Sequence, residues 1–335
     1  MNETEDALRR TLTGALAGLP ARRTAQAVDR LIDNYRGTTP TATPVLRDAA
    51  DVAAYAAYRM PATFGAVRAA LTALDAAAGD WTPATHTDVG GGTGAATWAA
   101  ADVWPGAGRA TTVLDWAEPA LDLGRQLAAA SGLAPLAGVE WRRTVIGTGL
   151  ELPESDLITV SYVLGELTGQ DRAAVLDAAA DAAQAVVIVE PGTPDGYRRV
   201  IEARDRLIDA GFTVAAPCPH SRTCPMIADA GEAVPAGDWC HFAARVQRSS
   251  LHRQLKGGAL GHEDEKYSYV AAVRLPVTPA PTRVVRHPQT RKGLVMLRLC
   301  TGDDGLTGEN VSKRHGPLYK AARDVQWGDA WPPGL

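Results

Sequence analysis

The four cysteines of this sequence all lie in its C-terminal third. Their positions are Cys218, Cys224, Cys240 and Cys300. Successive members are separated by five, fifteen and fifty-nine residues, and the first two each precede a proline. In a chain of 335 residues with so few cysteines, thiols are more typical of a metal or catalytic site than of a disulfide framework.

Three kinds of site remain open for these thiols. The absence of a C-x-x-C pair argues against a common zinc ribbon or knuckle. Four thiolates among prolines favour a [4Fe–4S] cluster, which takes four cysteine ligands and in which Cys-Pro is frequent. Zinc held by three cysteines and one histidine is the alternative, with His220 and His241 close in sequence. Ordinary buried cysteines are the third.

A glycine-rich segment stands between an apolar strand-like run and a helical one. It reads Asp88-Val-Gly90-Gly91-Gly92-Thr93-Gly94. Glycines let the backbone approach a ligand closely, and the following helix offers free N–H groups. The spacing differs from the G-x-G-x-x-G of dinucleotide enzymes, and Asp88 suits a cationic amino-acid end better than a pyrophosphate. This combination resembles motif I of class I S-adenosylmethionine (SAM)-dependent methyltransferases.

Acidic residues at the ends of later strands complete the predicted cofactor site. Asp115 ends the next strand, 25 residues after Gly90, where a carboxylate can accept hydrogen bonds from a ribose diol. The predicted SAM contacts are Asp88, Gly90, Gly91, Gly92, Gly94, Asp115 and Ser161. Glu190, at the end of the fifth strand, is the candidate base.

Two sequence features of known methyltransferases are absent, and their absence narrows the type of methyl transfer that is expected. Residues 161–167 read SYVLGEL and lack the Asn/Asp-Pro-Pro-aromatic motif with which amino-group methyltransferases hold an exocyclic nitrogen. No cysteine precedes position 218, which argues against a cytosine-C5 mechanism, because that chemistry needs a thiolate near the fourth or fifth strand.

Charge is distributed unevenly along the chain. Residues 1–240 carry 19 basic and 30 acidic side chains, whereas residues 241–300 carry 11 basic and 3 acidic ones. This basic segment predicts a surface that faces a polyanion. The predicted RNA contacts, which a helix would gather largely on one side, are Arg245, Arg248, Arg253 and Lys256.

The elements that position these residues can be read from hydrophobic periodicity. Residues 1–80 are helical in pattern, with one helix predicted at about 46–59 and another opening after Pro61. From about residue 85, strand-like runs alternate with helical stretches, which predicts a parallel sheet covered on both faces. Further strand-like runs begin at 267.

Composition excludes two classes of protein. With 46% hydrophobic and 21% charged residues, wholesale disorder is excluded. No apolar run approaches the roughly 18–20 residues that span a bilayer, so no membrane partner is expected. The acidic N-terminus indicates no export signal, and the chain is therefore expected in the cytoplasm with reduced thiols.

Longer segments carry a family resemblance over about residues 45–331. They are VEPGTPDGYRRVIEARDRLIDAG, APCPH, WCHF, HRQLKGG, EDEKYSYVAAVR, SYVLGEL, AYAAYRMPATFGAVRAAL, SKRHG and ARDVQWGDAW. In combination they resemble a family of methyltransferase-like proteins of the small ribosomal subunit. The resemblance implies a class I methyltransferase fold with a [4Fe–4S] cluster on the four cysteines.

The resemblance also implies binding to 16S-type ribosomal RNA during small-subunit assembly, with methyl transfer a hypothesis. A small-molecule methyltransferase with a structural zinc site and a non-catalytic assembly scaffold are the alternatives. Neither the residues nor the resemblance specify an oligomeric state.

The predicted fold is α/β, with a Rossmann-like class I methyltransferase sheet. The expected divisions are an N-terminal helical subdomain (1–80), the SAM-binding core (81–216 with 267–275), a cysteine-rich insertion (217–266) and a basic β-rich extension (276–335).

Overall fold

A computed structural model of the chain describes residues 3–16, 49–106, 108–228, 238–247 and 261–333. Its helices are α1 (Glu3–Leu16), α2 (Ala49–Ala78), α3 (Ala95–Val103), α4 (Glu118–Ala130), α5 (Ala134–Ala137), α6 (Gly169–Ala182), α7 (Pro194–Asp209), α8 (Pro225–Ala228) and α9 (Pro317–Asp324). Short 3₁₀ helices cover Leu164–Glu166 and Lys313–His315.

The strands form two sheets. They are β1 (Thr85–Val89), β2 (Ala110–Asp115), β3 (Glu140–Arg143), β4 (Ser155–Ser161), β5 (Ala183–Pro191), β6 (Thr213–Ala216), β7 (Phe242–Gln247), β8 (His262–Val273), β9 (Thr282–Val284), β10 (Gln289–Arg291), β11 (Leu294–Thr301) and β12 (Gly305–Ser312).

The first sheet has the strand order β3-β2-β1-β4-β5-β8-β6, and β7 pairs with the outer half of β8. Strands β1 to β5 are parallel, whereas β8 runs antiparallel between β5 and β6. The predicted α/β class and Rossmann-like methyltransferase sheet are thereby confirmed. The carboxyl ends of β1, β2, β4 and β5 meet at one edge, where the predicted SAM contacts lie.

Two hydrophobic cores cover the two faces of this sheet, and alternate residues of β5 belong to different cores. Ala185, Val187 and Val189 pack with residues of α1 to α4. Val186 and Ile188 pack with residues of α6 and α7. Burial on both faces explains why the central strands are nearly continuous apolar runs.

The N-terminal helices differ from the prediction at one point. The structure has the single helix α2, with Pro61 inside it rather than at the start of a second helix. Met60 and Ala62 on either side of Pro61 are buried, and this packing offsets the hydrogen bond that proline cannot donate. Residues 17–48, part of the N-terminal segment that is helical in pattern, lie outside the described residues.

The second sheet is antiparallel and packs against α9. Strand β11 pairs along its whole length with β12, and on its other side with β10 and then β9. Val295, Leu297 and Leu299 of β11 face a small core with Trp331. Among the residues described, no helix is long and apolar enough to cross a bilayer. The division into four domains stays a prediction.

Candidate functional site

The glycine segment forms the turn between β1 and α3. Gly90, Gly92 and Gly94 have φ of 66°, 54° and 82°, a left-handed conformation that favours glycine. The Gly90 N–H donates to the carbonyl of Leu114 at 2.7 Å, which binds the turn to the end of β2. A Cβ at Gly92 would meet only the Asp115 carboxylate, at 3.8 Å. The turn is therefore open to a ligand at Gly92.

Asp88, a predicted SAM contact, lies beneath this turn. Its side chain is fully buried and accepts hydrogen bonds from the hydroxyls of Thr159 at 2.9 Å and Thr97 at 3.4 Å. A Cβ at Gly91 would lie 2.6 Å from its Oδ2, so the turn needs glycine there. Burial raises the pKa of Asp88 to about 7.

Asp115 links the second strand to the turn. Its Oδ2 accepts the N–H of Gly92 at 2.9 Å and its Oδ1 that of Ala117 at 2.8 Å. Burial raises its pKa, and these backbone hydrogen bonds oppose the rise. A carboxylate has about four acceptor positions, so Asp115 retains acceptor capacity for a diol.

Trp116, the next residue, is a feature that the sequence analysis missed. It is 43% exposed, one of two exposed large apolar side chains among the residues described. An exposed indole at a sheet edge offers a face on which a base can stack. Its position directly after Asp115 was the available sequence signal.

The segment after β4 is positioned by Glu190, the candidate base. The Glu190 side chain is fully buried, accepts the Leu164 N–H at 3.0 Å, and pairs with Arg199 at 2.7 Å. Because the Glu190 carboxylate has no exposed surface and is paired with Arg199, its role in this structure is to position the segment after β4. Ser161 ends β4 at this edge and is also buried.

Tyr162 follows with a φ of 60°, rare for a bulky residue. Its hydroxyl donates to Glu265 of β8 at 2.9 Å, and Glu265 also pairs with Arg59 of α2 at 3.0 Å. The Arg59 guanidinium lies 5.1 Å from the centre of the Tyr162 ring. This triad holds Tyr162 in a conformation that costs about 1–3 kcal/mol.

The four cysteines meet at a second location. All four line one cavity between the end of β6, α8, the start of β7 and β11, with an empty volume of about 300 Å³ that includes its open mouth. Its other walls include Met226, Phe242, Arg283, Val285 and Leu306. The cavity brings together cysteines that are up to 82 positions apart in the sequence.

Two buried arginines face these thiols. Arg283 of β9 is the cross-strand partner of Cys300 and donates to the carbonyl of Pro217 at 3.0 Å. Arg204 of α7 donates to the carbonyls of His220 and Arg222. Both guanidinium groups favour the thiolate form of a neighbouring cysteine.

Burial dominates the ionisation of three of the thiols. It raises the pKa of Cys218 to about 11, that of Cys300 to about 12, and that of Cys240 well above its usual range. Repulsion between neighbouring thiolates adds to each rise. A bound metal must therefore displace protons, and its binding releases them.

The histidines near the cysteines do not line the cavity. His241 stacks on Trp239, with ring centres 5.1 Å apart, and its Nδ1 contacts the Trp239 carbonyl at 2.9 Å. No group of three or more Cys, His, Asp or Glu side chains in the described ranges is arranged to hold a metal ion. For comparison, the sulfur atoms of a tetrahedral four-cysteine zinc site lie about 4 Å from one another, because each Zn–S distance is about 2.3 Å.

Of the predicted RNA contacts, Arg245 alone lies within the described residues. It stands on strand β7, not on a helix, and pairs with Asp264 of β8 at 2.9 Å. Arg248, Arg253 and Lys256 lie outside the described residues.

Comparison with known proteins identifies the family. A family model described as "Mitochondrial small ribosomal subunit Rsm22" matches residues 49–332. This protein belongs to the Rsm22 family. A human relative of this chain, "Ribosome assembly protein METTL17, mitochondrial", is 28% identical to it over 306 residues. The match covers 83% of this chain and 62% of that protein. The chain thus spans about three fifths of the length of this relative.

Other matches extend the comparison. "Rsm22-cox11 tandem protein 2, mitochondrial", from Schizosaccharomyces pombe, is 27% identical over 44% of this chain and 24% of its own length. Among solved structures, an O-methyltransferase family protein from Burkholderia thailandensis is 17% identical with a TM-score of 0.41, over 56% of this chain and 64% of that one. A SAM-dependent methyltransferase from Aquifex aeolicus is 17% identical with a TM-score of 0.38, over 52% and 94%.

The comparisons contradict one expectation from the sequence, the cellular compartment. The sequence analysis placed the chain in the cytoplasm, whereas the curated relatives from human and fission yeast are named as mitochondrial proteins. The acidic N-terminal residues on which that expectation rested therefore do not indicate the compartment.

Proposed function

We propose that this Rsm22-family chain is a SAM-binding, methyltransferase-like assembly factor of a small ribosomal subunit, and that it holds a [4Fe–4S] cluster on its four cysteines. The observation that carries the proposal is the convergence of Cys218, Cys224, Cys240 and Cys300 on one cavity beside a methyltransferase-like sheet. Family membership and the name of the human relative support the ribosomal part.

The glycine turn fits SAM. Its open side at Gly92 admits the amino-acid end of the cofactor, Asp115 has acceptor positions for the ribose hydroxyls, and Trp116 offers a stacking face for the adenine. SAM supplies an electrophilic methyl group when bound. Glu190 is fully buried and paired with Arg199, so no catalytic base is assigned.

The chemistry of the cavity's donor set fits a thiolate-ligated cluster, although the thiols of the described residues are not spaced for a metal ion in this structure. Four thiolates around either a [4Fe–4S] core or zinc leave a net dianionic site. The two guanidinium groups of Arg204 and Arg283 can offset that charge in a buried environment. Since no histidine of the described residues lines the cavity, the zinc alternative with three cysteines and one histidine has less support than four-thiolate ligation.

Anaerobic purification with an absorbance spectrum and iron, sulfide and zinc analysis tests the cluster. We expect a brown protein with equal iron and sulfide, bleached in Cys218→Ser and Cys300→Ser because each removes a ligand. Arg125→Gln, on the exposed surface, is the control and should keep its colour. A colourless protein with one zinc would overturn the cluster and leave a structural zinc site.

Calorimetric titration with SAM tests the cofactor site. Trp116→Ala should weaken SAM binding by about tenfold, because stacking of a base on an aromatic ring contributes about 1–3 kcal/mol. Val145→Ala is the matched control, since Val145 is the other exposed large apolar residue described. Equal affinity of wild type and Trp116→Ala would refute the assignment of Trp116, and no SAM binding by the wild type would refute the site.

A further inference from the structure

We infer that the outer face of the second sheet, with the two turns at its end, binds the phosphate backbone of RNA. The inference rests on the proposed function, since it names the surface through which that function would reach its RNA. The side chains of this surface, called the basic face below, are Arg291, Lys292, Arg298, Lys313 and Arg314.

Strand register brings these residues together. Arg291 of β10 is opposite Leu294 of β11, which is opposite Ser312 of β12. The Lys313 N–H donates to the carbonyl of Gly293 at 3.1 Å. The turn that carries Lys292 and the turn that follows Ser312 therefore lie side by side, across three strands that together span about 10 Å.

Alternation along β11 directs Arg298 to the same face. Val295, Leu297 and Leu299 point into the core beneath the sheet, so Arg298 points outward. In register on this outer face, the half-buried Leu294 lies between Arg291 and Ser312, the half-buried Met296 lies between Gln289 and Asn310, and Gly308 is opposite Arg298. At its far end the same face reaches Cys300 and Leu306, which line the cysteine cavity.

The positive charges of the basic face are available to a ligand. All five side chains are exposed, and none forms an ion pair with another residue in the described ranges. The carboxylates of this sheet lie elsewhere. Glu309 bonds to Trp331 from the opposite face, and Asp303 and Asp304 occupy the turn at the cavity end.

Three other arginines of the basic segment already have partners within the protein. Arg245 pairs with Asp264, and Arg286 pairs with Asp238. Arg283 is buried at the cavity and donates to carbonyls of Pro217 and Gly328. Among the described residues of 241–300, Arg291, Lys292 and Arg298 lie together on one sheet, whereas the exposed Lys266 stands apart on β8. The SKRHG turn extends the group on the second sheet.

The chemistry of the basic face favours a phosphate backbone over a lipid surface. A membrane-binding surface presents large apolar side chains beside its cations. The exposed large apolar residues of the described chain are Trp116 and Val145, and both belong to the first sheet's side of the molecule. The apolar side chains among these cations, Leu294 and Met296, are half-buried, so the exposed groups of the face are arginines and lysines, which are typical of sequence-independent phosphate contacts.

Fluorescence anisotropy with a labelled single-stranded RNA of mixed sequence, over a series of salt concentrations, tests the inference. The variants are Arg291→Gln/Arg298→Gln and Lys313→Gln/Arg314→Gln. Each lost phosphate contact lowers the salt slope by about 0.7 on single strands, so each double variant should lose about 1.4 in slope and about tenfold in affinity near 0.15 M salt. The control is Arg125→Gln/Arg198→Gln, which removes the same charge from two exposed helical ion pairs.

The outcomes separate the inference from the proposed function. Loss of affinity and slope in both basic-face variants, with the control unchanged, supports the inference. RNA binding by the wild type that all variants retain overturns the basic face and leaves the proposed function standing. No RNA binding by the wild type overturns both, and so does binding to vesicles of anionic phospholipid in place of RNA.

Discussion

The buried carboxylate of Asp88 makes the folding stability of this protein depend on pH in a direction opposite to that of most acidic residues. Its pKa is raised to about 7 by burial, from an ordinary value near 3.8, with repulsion from Asp115 adding to the rise and hydrogen bonds from Thr159 and Thr97 opposing it. The folded state therefore holds a proton on Asp88 over a range in which the unfolded state has lost it. This contribution to stability is fully present below about pH 4 and is lost as the pH rises to about 7.

The substitution Asp88→Asn replaces the group by a neutral one of the same shape. Below about pH 3 wild type and variant should be similar, since Asp88 is then protonated in both states of the wild type, and the difference should begin near pH 4, where the unfolded state loses its proton. Each pH unit above that should favour the variant by about 1.4 kcal/mol, up to roughly 4 kcal/mol near pH 7, with no further change above it.

Urea denaturation at several pH values between 5 and 8 measures this difference. Asp177→Asn is the control: Asp177 is exposed, and its hydrogen bond with Arg206 lowers its pKa, so both states are ionised throughout this range. Its difference from wild type should be constant. If the Asp88→Asn difference is equally constant, the carboxylate is ionised and solvated in the folded protein, and the reasoning fails.

Two further substitutions test contacts near the two sites. Glu190→Gln leaves Arg199 without its buried partner and should cost about 2–4 kcal/mol in urea denaturation; a loss below about 0.5 kcal/mol, the scale of surface substitutions, would show that the pair does not hold the segment after β4. Tyr197→Phe removes the hydroxyl that lies 3.2 Å from the Cys224 sulfur. It should lower the reduction potential of the proposed cluster, because hydrogen bonds to a ligating sulfur stabilise the reduced state. Spectroelectrochemistry measures that potential, and an unchanged value would show that the bond is absent in the loaded protein.

Local patterns were sufficient for most elements of the first sheet. The alternation of strands and helices predicted from about residue 85 is confirmed through β6. Pro61 misled the prediction because a proline at a favoured first-turn position and one inside a long buried helix look alike in sequence. Arg245 was placed on a helix because its spacing to Arg248 fits one, whereas pairing with β8 makes its segment a strand.

The roles of acidic residues at strand ends could not be read from sequence. Asp88, Asp115 and Glu190 all end or nearly end parallel strands, where a side chain can face a ligand or the interior. Only the packed structure shows that Asp88 lies under the turn and that Glu190 is paired with Arg199. A shared site for the cysteines is easier to predict, because all four thiols lie in one third of the chain. The sequence does not show that Cys300 is brought to this site by a strand of the second sheet.

The position of β8 has a consequence for synthesis of the chain. This strand fills the gap between β5 and β6, yet it is made about fifty residues after β6. Until residue 273 has left the ribosome, β5 presents an open edge and β6 has no neighbour in the sheet. Unpaired strand edges on a nascent chain are sites of aggregation. A chain whose synthesis stalls within this interval should therefore need a chaperone. Such a chain would also contain Cys218, Cys224 and Cys240 without Cys300, the fourth cysteine of the cavity.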